Sequence, residues 1–193
     1  MEACSRKYEQ LNRLADPNGI VIFGGRRDLD LPVGELRQAF SVESKIYNRS
    51  FPELTAENAA ELYGRWVAPL APETLLLHLG EADLESYGQQ PDRFDRGFRQ
   101  LVARIRAENR DCRIVVVSLT EGEDPRAPEM NRHLKDLAAS ERCEFGDIGC
   151  RRVKNPRNAR ALSDFLYSSG FVHQLNRPRP VQELVQTLFS CIA

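Results

Sequence analysis

The chain has 193 residues, 41% of them hydrophobic, so it is long enough to bury one sizeable core and is predicted to form a single domain over residues 1–193. Its 27 basic and 28 acidic residues nearly cancel, which gives no support to nucleic-acid or membrane-surface binding. The five cysteines form no CxxC pair or metal-ligand spacing, and no apolar run resembles a signal core or a membrane span, so we expect a soluble, cytoplasmic protein without metal or cofactor.

Five short apolar segments predict the strands of a parallel sheet. Segments such as TLLLHL and RIVVVSL are too short for buried helices and too continuously apolar for strands with one exposed face. They fit strands that are covered on both faces. The predicted strands are residues 20–23, 45–47, 74–79, 113–119 and 144–148.

Segments with helical character alternate with these strands. The first begins near Thr55, a predicted N-cap with Asn58 three residues further on, and the next carries apolar residues at a 3/4 spacing. The predicted helices are residues 54–67, 92–109, 128–142 and 181–191. The alternation predicts right-handed crossovers and a doubly wound, five-stranded parallel sheet in a three-layer α/β/α sandwich.

Ligands of such a sheet bind beyond the carboxyl ends of the strands, so the residues that follow each strand are candidate functional residues. Near the end of the chain, His173 precedes the last predicted helix. The candidates at the other strand ends are Gly24, Gly25, Arg26, Arg27 and Asp28, then Asn48, Arg49 and Ser50, then Gly80, Glu81, Ala82 and Asp83, then Ser118, Thr120 and Glu121.

Four blocks at these places resemble those of the SGNH, or GDSL-type, ester hydrolases. VIFGGRRD stands where the family has strand-Gly-Asp-Ser, and YNRSFPELT where it has Asn-Arg-Gly. LHLGEADL corresponds to Gly-x-Asn-Asp, and SSGFVHQLN to Asp-Gly-x-His-Leu-Asn. The blocks occur in family order across nearly the whole chain, and the resemblance implies a flavodoxin-like fold of the SGNH hydrolase type.

The resemblance also implies that the catalytic machinery is substituted. In the family, the first-block serine attacks the carbonyl, the last-block histidine is its base, and the second-block glycine and third-block asparagine complete the oxyanion hole. Those positions hold Arg26, His173, Ser50 and Ala82 here, and the last-block aspartate is absent. A guanidinium cannot act as a nucleophile, so we expect no hydrolysis by the usual Ser-His-Asp mechanism.

The missing nucleophile does not depend on the exact alignment of the first block. No serine occurs between Ser5 and Ser41, so a shift of one residue supplies none. The alternative is a weak or atypical acyl or carbohydrate ester hydrolase that uses a relocated serine, with Ser50 as the candidate nucleophile and His173 as its base. A third possibility is an interaction protein whose sheet edge binds no small molecule.

The basic residues of the strand ends suggest a binding role in place of catalysis. Arg26, Arg27 and Arg49, with Gly25 and Ala82 beside them, are predicted to bind a small anionic ligand. The alternative for the arginines is pairing with nearby acids, namely Asp28, Asp30, Glu81 or Asp83.

Three further features of the sequence are predicted to have structural roles. The Gly24-Gly25 pair predicts a tight turn with positive φ. His78, inside an apolar strand, is predicted to lie in the core or on a sheet face. Asp83 is expected to support its loop by hydrogen bonds, as the family resemblance implies.

Overall fold

The computed structural model describes residues 2–39, 44–120 and 124–148. Its sheet has five strands in the order β2-β1-β3-β4-β5, and all neighbouring strands are parallel. The strands are β1 Ile20–Gly24, β2 Ile46–Asn48, β3 Thr74–His78, β4 Arg113–Val117 and β5 Glu144–Gly146. This order is that of flavodoxin-like doubly wound folds, so the predicted α/β architecture is confirmed.

Six α-helices lie between and beside the strands in the described residues. They are α1 Glu2–Asn12, α2 Val33–Ala39, α3 Ala56–Leu62, α4 Leu84–Tyr87, α5 Pro91–Glu108 and α6 Ala127–Ser140. A π-helical turn, Tyr63–Val67, extends α3 to the length that the sequence predicts. No helix in the described part of the chain is long and apolar enough to cross a membrane.

The predicted helices agree with α3, α5 and α6 to within a few residues, and the predicted helix 181–191 lies outside the described residues. Thr55 caps α3 as predicted, because its hydroxyl accepts from the Asn58 backbone while the Asn58 side chain accepts from the Thr55 backbone. Helices α1, α2 and α4 were not predicted. Tyr8 is the one fully buried residue of α1, so that helix has little apolar periodicity to detect.

The central strands β1, β3 and β4 are buried on both faces, whereas the edge strands β2 and β5 are partly exposed. Val21, Phe23, Leu75 and Leu77 belong to the main core together with side chains of α3, α5 and α6. The alternate residues Ile22, Leu76, Val115 and Val117 point to the opposite face and are equally inaccessible. The predicted strands at 74–79 and 113–119 ran one or two residues too long because burial continues past the strand ends, at Leu79 and Leu119.

Candidate functional site

The turn after β1 brings a carboxylate back against the strand. Arg26–Asp28 form a single 3-10 turn, and the buried Asp28 Oδ2 accepts from the Gly25 N–H at 2.8 Å. A Cβ on Gly24 would lie 1.8 Å from Asp28 Oδ2, and one on Gly25 would lie 2.6 Å from Glu81 Oε2. Neither glycine has positive φ, so that prediction is wrong. Gly24 is needed because the buried Asp28 carboxylate lies too close for any side chain, whereas at Gly25 the nearest atom belongs to the movable end of the Glu81 side chain.

Asp28 forms a buried pair with His78, the last residue of β3. The strand register places His78 opposite Gly24, and its Nδ1 lies 2.9 Å from Asp28 Oδ1 and 3.0 Å from Oδ2. Burial disfavours the imidazolium, but the charge of Asp28 and its hydrogen bond outweigh burial, so the pKa of His78 is raised above its ordinary value. The loop that was expected to carry chemistry therefore covers an imidazole–carboxylate pair.

The second block is tied to the same turn by hydrogen bonds. Ser50 is inaccessible to solvent, and its Oγ accepts from the Gly24 N–H at 3.1 Å while its carbonyl accepts from the Tyr8 hydroxyl at 2.6 Å. The Asn48 side chain accepts from the Ser50 N–H and donates to the Asp28 carbonyl. The hydroxyl of Ser50 thus joins β1 to the second loop and does not face solvent.

The two arginines of the first turn lie in different surroundings. Arg27 Nε donates to Glu81 Oε1 at 3.1 Å, which confirms for this residue that the arginine pairs with a nearby acid. The Arg26 side chain is exposed, and it has no ion pair with any residue of the described ranges. The backbone N–H of Gly25, a predicted ligand donor, is already bound to Asp28.

Arg49 is buried on the other side of the second loop, against α1. Its guanidinium carbon lies 5.1 Å from the Tyr8 ring centre and 5.6 Å from that of Tyr47, and only 3% of the residue is exposed. It donates to Asn12 Oδ1 and to the Asn48 carbonyl, both at 2.8 Å. Burial lowers the pKa of Arg49, yet within the described ranges no carboxylate lies within ion-pair distance of it.

Asp83 of the third block has a structural role, as predicted. Both of its carboxylate oxygens accept from the Ala56 N–H, at 3.2 and 3.1 Å, which joins the third loop to the start of α3. Burial raises the pKa of Asp83 to about 6. Ala82, which the sequence resemblance aligned with an oxyanion-hole asparagine, is exposed and has no polar side-chain group.

The space beside the Asp28–His78 pair is small. A cavity of about 20 Å³ lies beside the Asp28–His78 pair, which is room for about one water molecule. The cavity is lined by Arg27, His78, Glu81, Leu84, Leu119, Thr120 and Asp124.

Neither a group of metal ligands nor the predicted base is found among the described residues. No group of three or more acidic, histidine or cysteine side chains in this part of the chain is placed to hold a metal ion. His173, the predicted base, lies outside the described residues, so its role stays a prediction.

The pairing of Asp28 with His78 was not predicted, although the sequence contains a signal for it. His78 is the one polar side chain after the threonine in the strand segment TLLLHL, and a polar group buried in a parallel sheet requires a partner. The neighbours of β3 in the sheet are β1 and β4, so the loops after those two strands are the nearest source of that partner. The burial of Arg49 had no comparable signal, because α1 was not predicted.

The comparisons with known proteins agree with this architecture. No protein-family model and no curated protein matches the sequence. A Streptococcus pneumonia protein provisionally named as a platelet activating factor aligns over 98% of this chain and 89% of its own, with a TM-score of 0.64 and 16% identity. A GDSL-like lipase from Bacteroides thetaiotaomicron aligns over 75% and 77%, with a TM-score of 0.60 and 14% identity.

A catalytic mutant of an acetylxylan esterase from Geobacillus stearothermophilus aligns over 85% of this chain and 99% of its own, with a TM-score of 0.55 and 14% identity. At such identities the likeness concerns the fold. The chain has the fold of the SGNH, or GDSL-type, hydrolases.

Proposed function

We propose that this protein, built on the SGNH hydrolase fold, no longer hydrolyses esters and instead binds a small anionic ligand at the carboxyl ends of β1 and β2, where Arg26 and Arg49 provide two separate positive charges. The observation that carries the proposal is the turn after β1. Where the family resemblance expects an exposed serine, this turn has an exposed arginine above the buried Asp28–His78 pair. The turn supplies Asp28 to that pair and has no nucleophilic side chain.

The turn also lacks hydrogen-bond donors that would stabilise the transition state of ester hydrolysis. The Gly25 N–H donates to Asp28, and Ala82 has no side-chain amide where the family has an asparagine. Loss of one oxyanion-hole donor costs roughly 3–4 kcal/mol of transition-state stabilisation, and loss of the nucleophile adds to that. These costs support a protein without the usual hydrolytic activity.

Two features support the binding of an anion. Arg26 places an exposed positive charge at the carboxyl edge of the sheet, and Arg49 is a buried cation that contacts neutral acceptors and two tyrosine rings. A guanidinium binds carboxylate and phosphate groups with paired hydrogen bonds. Of the other predicted ligand residues, Arg27 is already paired with Glu81.

The loss of hydrolysis is tested by active-site labelling with a fluorophosphonate probe, read by peptide mass spectrometry, beside a short-chain ester assay. We expect no labelled serine and no turnover above buffer, both in the wild type and in His173→Ala. Stoichiometric labelling of one serine that disappears in His173→Ala would establish the alternative, a hydrolase with a relocated nucleophile, and overturn the proposal.

The binding role is tested by thermal denaturation in the presence of phosphate, sulfate and carboxylates at constant ionic strength. We expect at least one anion to raise Tm, and the rise to shrink in Arg26→Gln or Arg49→Gln. Arg13→Gln is the control, because Arg13 is an exposed arginine of the segment after α1 that pairs with Glu9. If no anion changes Tm, the binding role is refuted and the third possibility, an interaction protein, is favoured.

A further inference from the structure

A second and much larger cavity lies at the edge of the sheet, between α1, β2 and the segment 29–33. Its volume is about 320 Å³, which is within the range of pockets that bind small organic ligands. Most of its lining is apolar, with Leu11, Leu14, Ala15, Leu29, Leu31 and Ile46 among the side chains. The cavity does not include Arg26 or any residue of the Asp28–His78 pair.

The apolar lining is partly open to solvent. Leu11 and Leu14 are 38% and 83% exposed, and they are the large hydrophobic side chains that the described residues leave exposed. Both line this cavity. Exposed apolar side chains gathered around one concave surface mark a binding site more often than single scattered ones do.

The charged side chains that the described residues contribute to the cavity have one sign. Arg49 and Lys7 line it, and none of the described lining residues is acidic. A buried guanidinium is normally paired with a carboxylate, because its transfer from water is costly. Arg49 has neutral acceptors and aromatic faces in place of an acid within the described ranges, so an anion from outside would complete its coordination.

We propose that this cavity binds an aliphatic monocarboxylate, with the carboxylate on Arg49 and the chain against the leucines of α1 and the segment 29–33. Octanoate is a suitable probe of this class, because a cavity of about 320 Å³ lies at the small end of the size range of ligand pockets. The inference rests on the proposed anion-binding role and gives it a site and a ligand class.

Calorimetric titration of the full chain with octanoate, octan-1-ol and acetate tests the site. The wild type is expected to bind octanoate at least tenfold more tightly than the other two, because octanol lacks the charge and acetate lacks the chain. Arg49→Gln is expected to weaken octanoate binding roughly 10- to 100-fold, the usual effect of losing a hydrogen bond to a charged group, and to leave octanol binding unchanged.

Two further variants separate the cavity from other sites. Ala15→Phe inserts a ring into the cavity while keeping Arg49, and it is expected to weaken octanoate and octanol binding alike. This variant keeps the test decisive if Arg49→Gln fails to fold. Arg13 is an exposed arginine near the end of α1 and does not line the cavity. The variant Arg13→Gln is therefore expected to bind octanoate like the wild type.

Three results would each overturn the inference: no octanoate binding by the wild type, octanol binding as tight as that of octanoate, or unchanged octanoate binding in Ala15→Phe. Loss of octanoate binding in Arg26→Gln would also overturn it, because the ligand would then lie at the first turn. A labelled serine in the probe experiment would refute the proposed loss of hydrolysis without changing the octanoate titration, so the two failures are distinguishable.

Discussion

Replacing Asp28 by asparagine tests the central feature of the first turn, its buried charge pair. The Asp28 side chain is inaccessible, and that of His78 is 2% exposed. Asparagine keeps the shape of the side chain and an oxygen for the Gly25 N–H, but it removes the negative charge that holds a proton on His78. The imidazole then becomes neutral because burial disfavours its charged form.

The expected loss is large and depends on pH. Removing one partner of a buried ion pair costs roughly 3–5 kcal/mol, which corresponds to a fall in Tm of about 6–20 °C for a protein of this size. The raised pKa of His78 means that the folded chain binds the proton more tightly than the unfolded chain. The stability from this pair is therefore fully present below the unfolded pKa of about 6.5 and is lost as the pH rises through the higher folded pKa.

Urea denaturation of the wild type and Asp28→Asn at pH 5.5 and pH 9 measures the effect. We expect the difference in the free energy of unfolding to be larger at pH 5.5, since at pH 9 the asparagine amide can donate to a neutral His78 Nδ1. Asp30→Asn is the matched control, an exposed aspartate of the same loop that is expected to change stability by less than about 0.5 kcal/mol. A loss in Asp28→Asn that equals the control, or that grows with pH, would refute the reasoning.

Three further predictions concern the loops around this turn. Gly24→Ala should destabilise the folded chain by about 1–3 kcal/mol in thermal melts, because the new methyl group overlaps the Asp28 carboxylate. Gly34→Ala, which has open space around it, should not destabilise the chain, and equal effects of the two variants would contradict this reasoning. Asn131→Ala should cost about 1–3 kcal/mol in urea titrations by leaving the backbone after β4 unpaired, and an effect below 0.5 kcal/mol would count against it. Asp83 has a pKa raised to about 6, so its contribution to stability is present below about pH 4 and is lost as the pH rises through about 6. Asp83→Asn should abolish that part of the pH dependence of the free energy of unfolding, and an unchanged pH profile would refute the raised pKa of Asp83.

The sequence determined the strands, the longer helices and the order of the loops. The run TLLLHL places leucines on both faces, and a strand that is buried on both sides satisfies this pattern. The Thr55 cap and the apolar face of α5 are equally local, since the cap joins residues three positions apart and a helical face repeats within each turn. Short-range patterns of this kind are complete within the segment that carries them.

Only the tertiary structure decided which side chains meet at the strand ends. Arg27 and Asp28 are adjacent in sequence, yet the arginine reaches Glu81 while the carboxylate turns inward to His78, fifty residues away. Arg49 appeared to belong with the arginines of the first turn, but α1 packs against it and places it in a different cavity. A buried charge requires a compensating group close by, because its removal from water is costly. Packing determines which group lies close by, and that group can be distant in the sequence.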